Sequence, residues 1–373
     1  MSATRVRIER ASIRDFRNLE DVELVLPDAG VAIVGENGQG KTNLLEALYY
    51  LQILRSARGA RDQDLARFGT AGFHVSARLA GSADREIAVG FDSVGKRKKF
   101  VRDGIAAAKL SDAFGSLPSV MFSPRDIELV SGSPSERRRF IDVVLALRSR
   151  RYLSALQQYR AALNRRNAAL RSVARGRGDT DSVAAWEPAL ADNGAMIACE
   201  RRKWVADAAS EFARLCAAIG EEEPARMEYV SATAEIGDAR ETLARSLEQN
   251  RLNDIRRGLT TSGPHRDDVL ITLSGRDIRS FGSAGQQRTA ATALRMLEAS
   301  SLREHSGREP VLLLDDPFAE LDTRRAGRIQ ELLTSSGLGQ TILAVPREAD
   351  IPADLLSLER LRIRAGTIQV KPS

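Results

Sequence analysis

Along Val6 to Phe16 hydrophobic and polar residues alternate loosely, along Val22 to Leu26 they alternate strictly, and Val31 to Val34 is an unbroken apolar run. Period-two alternation predicts strands with one wet face, and a short apolar run predicts a strand buried on both faces. A glycine-rich stretch follows. The helical period from Asn43 to Leu54 then puts Leu44, Leu45, Leu48 and Leu51 on one face. Strand patterning returns at Phe73 to Leu79 and Glu86 to Phe91, and Gly95 to Asp103 predicts a basic hairpin in which FVRDG supplies an Asp-Gly turn. From Ser135 the period changes. Apolar residues recur at helical spacing through Glu136 to Val173 and Trp186 to Ile219, on either side of the turn-rich RGRGDTD at 175–181, which predicts an inserted helical hairpin. Strand patterning resumes at Val269 to Leu273 and near Ile278 to Phe281. A helix is expected from about Gln286 to Ser301, a buried strand ends at Asp315, and a last strand, Thr341 to Val345, precedes a short tail. The expected architecture is α/β with an inserted helical lobe: a head formed by 1–125 and 258–373, interrupted by 126–257.

Composition narrows the function classes. A chain of 373 residues is long enough for about two domains. Its first residues carry a charge every second or third position, so no secretory signal is expected. Its longest aliphatic runs fall far short of the roughly 18–20 residues that span a bilayer, so neither is a membrane segment. Two cysteines, Cys199 and Cys216, and three histidines, His74, His265 and His305, are too scattered for a zinc site, and two cysteines in a chain this long are too few for a disulfide scaffold. A reducing cytoplasm fits, and any metal chemistry must use carboxylates and hydroxyls. The net charge is +6, but 49 of the 56 basic residues are arginine, a skew that reflects composition as much as function. The basic character is local: residues 131–180 hold twelve arginines against Glu136, Asp142 and Asp179, which points to an anionic partner.

Three motifs carry chemistry. Gly35, Glu36, Asn37, Gly38, Gln39, Gly40, Lys41 and Thr42 spell G-x-x-x-x-G-K-T after an apolar strand and before a helix. In that context loop N–H groups and a helix N-terminus converge on phosphate oxygens, the lysine reaches the β and γ phosphates, and the threonine hydroxyl ligates magnesium. VLLLDD at 311–316 supplies a carboxylate at the end of a buried strand, where Asp315 would assist the metal and Asp316 would polarise a water. Ser283, Ala284, Gly285, Gln286 and Gln287 open a helix with small residues, a second anion site. A chain that already has one phosphate cradle would offer this second one to nucleotide bound by a neighbouring copy.

GENGQGKT, SAGQQ and VLLLDD followed by Glu320-Leu321-Asp322 resemble, in that order, the Walker A, signature, Walker B and D-loop elements of ABC-type ATPases. DFRNL at 15–19, GKTNLLEALYYL at 40–51, RDQDLARFG at 61–69, FSPRDIELVSGSPSERRRFID at 122–142 and TSGPHRDD at 261–268 look specifically like the RecF family of bacterial repair proteins, related to Rad50 and SMC heads. The resemblance implies an ABC-type P-loop ATPase head. It implies ATP and Mg2+ as cofactors, a homodimer closed by ATP through the signature motif in trans, and binding to double-stranded and gapped DNA. It further implies cooperation with RecO- and RecR-like mediators and a RecA-type recombinase, with Asp316 and Lys41 as the catalytic pair of a slow ATPase. Two departures matter: Asp316 stands where ABC ATPases generally have Glu, and TILAVPRE offers Val345 and Pro346 where a switch histidine is often found.

Arg137, Arg138, Arg139, Arg148 and Arg151, with the basic hairpin at Lys96 to Lys99, are the expected DNA contacts. With few aromatics beside them, phosphate tracking along a duplex is favoured over base stacking. The alternatives are a transporter ATPase subunit, which the altered signature and arginine-rich insert disfavour, a nuclease-fused ATPase, for whose extra carboxylate-rich domain the length leaves no room, and a long-armed SMC or Rad50 head. The insert of 126–257 is too short for such arms and has no C-x-x-C hook.

Overall fold

A computed structural model describes residues 4–231, 238–319, 321–335 and 339–369. The chain divides into two compact units. One comprises 1–126, 218–220 and 294–373, and the other 127–217 and 221–293. The second unit runs on past 257, the boundary expected from the sequence. The reason is that the strand Ala225–Val230 pairs antiparallel along its whole length with Asp268–Leu273, which ties residues beyond the helices into the same unit. The chain returns to the first unit inside the helix Ala284–Ser306.

Two six-stranded sheets build the first unit. The antiparallel sheet runs Leu19–Val25, Arg7–Phe16, Gly72–Ala80, Glu86–Asp92, Arg97–Arg102, Ile105–Ala106. The alternation read from the sequence is its two faces: Ile8, Ala11, Ile13 and Phe16 are buried, and the residues between them face outward. The Asp103–Gly104 turn has φ of 47° and 79°, the left-handed pair that a two-residue hairpin requires. The other sheet runs Thr367–Gln369, Glu359–Arg364, Gly30–Val34, Thr341–Val345, Val311–Asp315, Ser119–Phe122, parallel except at the Thr367–Gln369 edge. Its central strands are buried end to end, as expected of a sheet covered on both faces. Buried amides stitch this unit: the Gln340 side chain accepts from Ile8 N and donates to the Ile8 and Pro27 carbonyls, all within 2.9 Å.

The second unit packs the helices Pro134–Arg148, Arg150–Ala174 and Glu187–Ile219 with shorter ones at Ala239–Gln249 and Arg251–Arg257 and a three-stranded sheet. Three sequence expectations are corrected. The helix expected through Glu136 to Val173 breaks at Ser149, which is extended and whose hydroxyl accepts from Tyr152 N at 3.1 Å, starting a new helix. Ile278–Phe281 is a helical turn, not a strand, because Asp277 caps it through Arg279 N. Thr341–Val345 is not the last strand: Glu359–Arg364 and Thr367–Gln369 follow, and a strand of alternating arginines such as RLRIR gives little hydrophobic signal when one face is wet. No helix among the described residues is long and apolar enough to cross a membrane.

Candidate nucleotide site

The phosphate loop leaves the end of Gly30–Val34 and opens the helix Lys41–Ile53. That helix has no side-chain cap and no acidic residue in its first turn, so its leading N–H groups and positive dipole end are left for an anion. Gly40 sits at φ 115°, a conformation that residues with a Cβ rarely adopt, and a Cβ there would press on Asn18 Oδ1 at 3.0 Å. Lys41 is buried, with Nζ donating to the Gly35 and Glu36 carbonyls. Burial lowers its pKa, while Asp315 and Asp316 act through space to raise it.

Thr42 Oγ1 donates to Asp315 Oδ1 at 3.0 Å across 273 residues of sequence. The parallel pairing of Val311–Asp315 with Thr341–Val345, and of that strand with Gly30–Val34, brings the two motifs to the same ends of strands that flank Thr341–Val345. Burial, reinforced by the adjacent Asp316, pushes the Asp315 carboxyl up to about 6 against the opposing Thr42 hydrogen bond. A buried carboxylate that resists ionisation, beside a hydroxyl oxygen and a second carboxylate, is a hard-oxygen donor set whose charge a divalent cation would relieve. It fits magnesium held jointly with phosphate, whose oxygens would complete the coordination that Thr42 and Asp315 begin. Asp316 is half-buried at φ 45°, with its N–H on the Ala344 carbonyl at 2.9 Å.

Behind the loop lies a network that the sequence did not single out. Glu46 is fully buried in the loop's helix and accepts from Arg17 Nε at 2.7 Å, Arg58 Nε at 2.9 Å and the Ser56 hydroxyl. Arg58 also reaches Asn43 Oδ1, and Asn43 donates to Asn18 Oδ1 at 2.7 Å. The signal was present: a glutamate interrupting the apolar LLEAL run must find partners.

The signature residues belong to the second unit. Ser283 Oγ accepts from Gln286 N at 3.2 Å and Gln286 Oε1 accepts from Ser283 N at 2.9 Å, a reciprocal capping box. Gln287 Nε2 donates to the Ile278 carbonyl at 3.1 Å and fixes the preceding turn. Ser283 and Ala284 are exposed and Gly285 is partly so, leaving the helix start accessible. Glu320 lies outside the described residues.

The arginine expectations separate. Arg137 is buried, bidentate to Asp268 at 2.8 and 2.9 Å, and donates to the Val130 and Gly132 carbonyls; its donors are committed inside the unit, which removes it from the expected DNA contacts. Arg138 donates to the Asp267 carbonyl at 2.6 Å, and Arg139 and Arg148 are partly buried. Arg151 is exposed. The GPHRDD stretch serves the same interior. His265 lies 2.6 Å from Tyr159 Oη and 3.0 Å from the Thr260 carbonyl, Asp267 accepts from Tyr229 Oη, and Asp268 holds Arg137. In Ser123-Pro124-Arg125-Asp126, Asp126 caps the turn through Ser123 N and pairs with Arg295 at 2.7 Å.

Known proteins resemble this chain over most of its length. The profile of the RecF/RecN/SMC N terminal domain matches residues 7–350. The DNA replication and repair protein RecF of Herpetosiphon aurantiacus is 35% identical over 97% of this chain and 99% of its own length, and that of Myxococcus xanthus is 39% identical over 89% of each. The chain belongs to the RecF family. A solved structure of the recombination mediator protein RecF with ATPrS, in the RecFOR pathway, superposes at TM-score 0.89 with 28% identity over all of both chains. An Smc head domain of Pyrococcus furiosus with an extended coiled coil superposes at 0.55 with 16% identity, which shows the shared fold. The RecF family's α/β ATPase-head fold, related to SMC heads, is therefore the fold expected from the motifs.

Proposed function

We propose that this chain is an ATP-operated DNA-binding protein of replication and recombinational repair. ATP with magnesium occupies the loop Gly35 to Thr42; Lys41 turns from the loop carbonyls to the phosphates, and Thr42 and Asp315 hold the metal. Two copies close on ATP, each offering Ser283 to Gln287 to the other's nucleotide. The closed dimer holds duplex DNA beside a single-strand gap, where RecO- and RecR-type mediators load a RecA-type recombinase. Asp316 orients the attacking water. Its side chain is one methylene shorter than the usual glutamate and no switch histidine follows, so turnover is slow and serves as a reset.

The observation that carries this reading is the Thr42 to Asp315 hydrogen bond, which joins the Walker A and Walker B motifs at one point. The RecF names and the ATP analogue in a structure superposing over the full chain support it. The test is sedimentation of wild type and Lys41→Ala with and without Mg-ATP and a gapped duplex, alongside titration with ATP. Wild type should dimerise with ATP and retain the duplex. Lys41→Ala should lose on the order of 10- to 100-fold in ATP affinity, the cost of a charge-assisted contact to phosphate. A wild-type protein indifferent to ATP would overturn the reading.

A further inference from the structure

The strand Glu359–Arg364 runs parallel to Gly30–Val34 with Arg362 opposite Val34, so it ends where the phosphate loop begins. Its connection to Thr367–Gln369 is the pair Ala365 and Gly366, at φ 49° and 79°. Both N–H groups of this turn meet one residue of the loop: Ala365 N donates to Gln39 Oε1 at 2.6 Å and Gly366 N to the Gln39 carbonyl at 2.8 Å. The turn is itself pinned, because a Cβ on Gly366 would lie 2.1 Å from the Asn18 carbonyl oxygen. The same hairpin closes on the other end of the loop, where a Cβ on Gly35 would lie 2.5 Å from the Ile363 carbonyl oxygen. Ala365 holds a left-handed conformation disfavoured for a residue with a Cβ, which the two hydrogen bonds help to maintain.

Gln39 stands between Gly38 at φ 81° and Gly40 at φ 115°. Two flanking glycines leave the loop backbone with few restraints of its own. We infer that Gln39 is a positioning residue for the triphosphate, acting through the C-terminal hairpin turn. By fixing both the carbonyl and the side chain of Gln39, the turn keeps the loop N–H groups aimed at the phosphates before nucleotide arrives, so that binding does not have to order the loop. The inference rests on the ATP-binding reading above.

The test compares ATP affinity, steady-state hydrolysis and nucleotide-free melting in wild type and four variants. In Gln39→Ala, KM and the ATP dissociation constant should rise about 10-fold while kcat stays within about twofold, the signature of a loss in ground-state binding. Gly366→Ala, which drives the turn off Asn18, should reproduce that loss, and the double variant should be no worse than either single one, because both break one connection. Gly275→Ala places the same left-handed backbone strain, without a steric clash, at the Ser274–Gly275 turn, φ 47° and 79° with open space around it, and should leave ATP binding unchanged. Wild-type affinity in Gln39→Ala, or fully additive losses in the double variant, would overturn the inference alone. Failure of wild type to bind ATP would overturn the reading beneath it as well.

Discussion

Lys41 in the phosphate loop and Arg166 in the helical unit are both buried cations, and they differ in what neutralises them. Lys41 donates to two backbone carbonyls of its own loop, with the Asp315 and Asp316 carboxylates acting through space. Arg166 donates to Asp254 at 2.7 Å, Glu187 at 3.0 Å, the Thr260 hydroxyl at 2.9 Å and the Leu247 carbonyl at 3.3 Å, and is fully buried. A cation held by neutral dipoles keeps its charge available to a ligand. One held by two carboxylates has spent its charge on the fold. Arginine density therefore measures neither availability nor a binding face, since Arg137, Arg166 and Arg201 are all buried against acids in the second unit.

The largest expected effect separates these two cations. Arg166→Ala would leave Asp254, fully buried, without its counter-charge, while Glu187 keeps Arg251 at 2.6 Å; the loss at Asp254 should cost about 3–5 kcal/mol. The two tryptophans, Trp186 and Trp204, both lie in the second unit, so denaturant unfolding followed by tryptophan fluorescence reads that unit. An unchanged midpoint in Arg166→Ala would break the comparison.

Legibility in the sequence follows the same division. The phosphate loop, Asp315 and the buried strands were readable because each depends on local spacing: glycines at turns, an apolar run, a carboxylate at its end. The partners of Glu46 and the Gln39 brace were not, because each joins residues distant in sequence; Glu46 itself stands out only as a charge inside an apolar run. The strand Glu359–Arg364 was missed since its buried Leu361 and Ile363 are outnumbered by charge. The arginine-rich helices were read as basic surface because their acidic partners, Asp254 and Asp268, come from beyond the window in which charge was counted.

Acid should separate the units further. Burial lowers His265 to about 4, with Arg266 and Arg138 adding to the effect and the Thr260 and Asp267 contacts opposing it. The Thr260 carbonyl can only accept, so Nε2 carries the proton and Nδ1 accepts from Tyr159 Oη. Between pH 6.5 and 4 the unfolded chain binds a proton at this position that the folded unit does not, so stability falls with pH by about 1.4 kcal/mol per unit, up to roughly 3 kcal/mol. Asp315 carries the opposite sign. Its folded pKa of about 6 lies above the ordinary carboxylate value, so between pH 6 and 4 the folded state binds the extra proton and acid favours it. The fluorescence-detected midpoint should drop from pH 6.5 to 4 in wild type and flatten in His265→Gln; equal slopes in the two proteins would remove His265 as the cause.

The smallest effect tests whether exposure, rather than charge count, selects the DNA contacts. Arg151 is exposed at the start of the helix Arg150–Ala174, whereas Arg137 is locked onto Asp268 one helix earlier. If the proposed duplex surface includes Arg151, Arg151→Ala releases one fewer counterion, lowering the slope of log affinity against log salt by about 0.9 and weakening binding uniformly across sequences. Arg137→Ala should leave that slope unchanged, because its guanidinium never reaches phosphate, but should lower the tryptophan-detected stability by leaving Asp268 unpaired. Fluorescence anisotropy of a labelled duplex over a salt series measures the first quantity, and denaturant unfolding the second. A salt slope that shifts in Arg137→Ala but not in Arg151→Ala would mean that the second unit opens its ion pairs to bind DNA, and that a cation neutralised by carboxylates can still be recovered for a ligand.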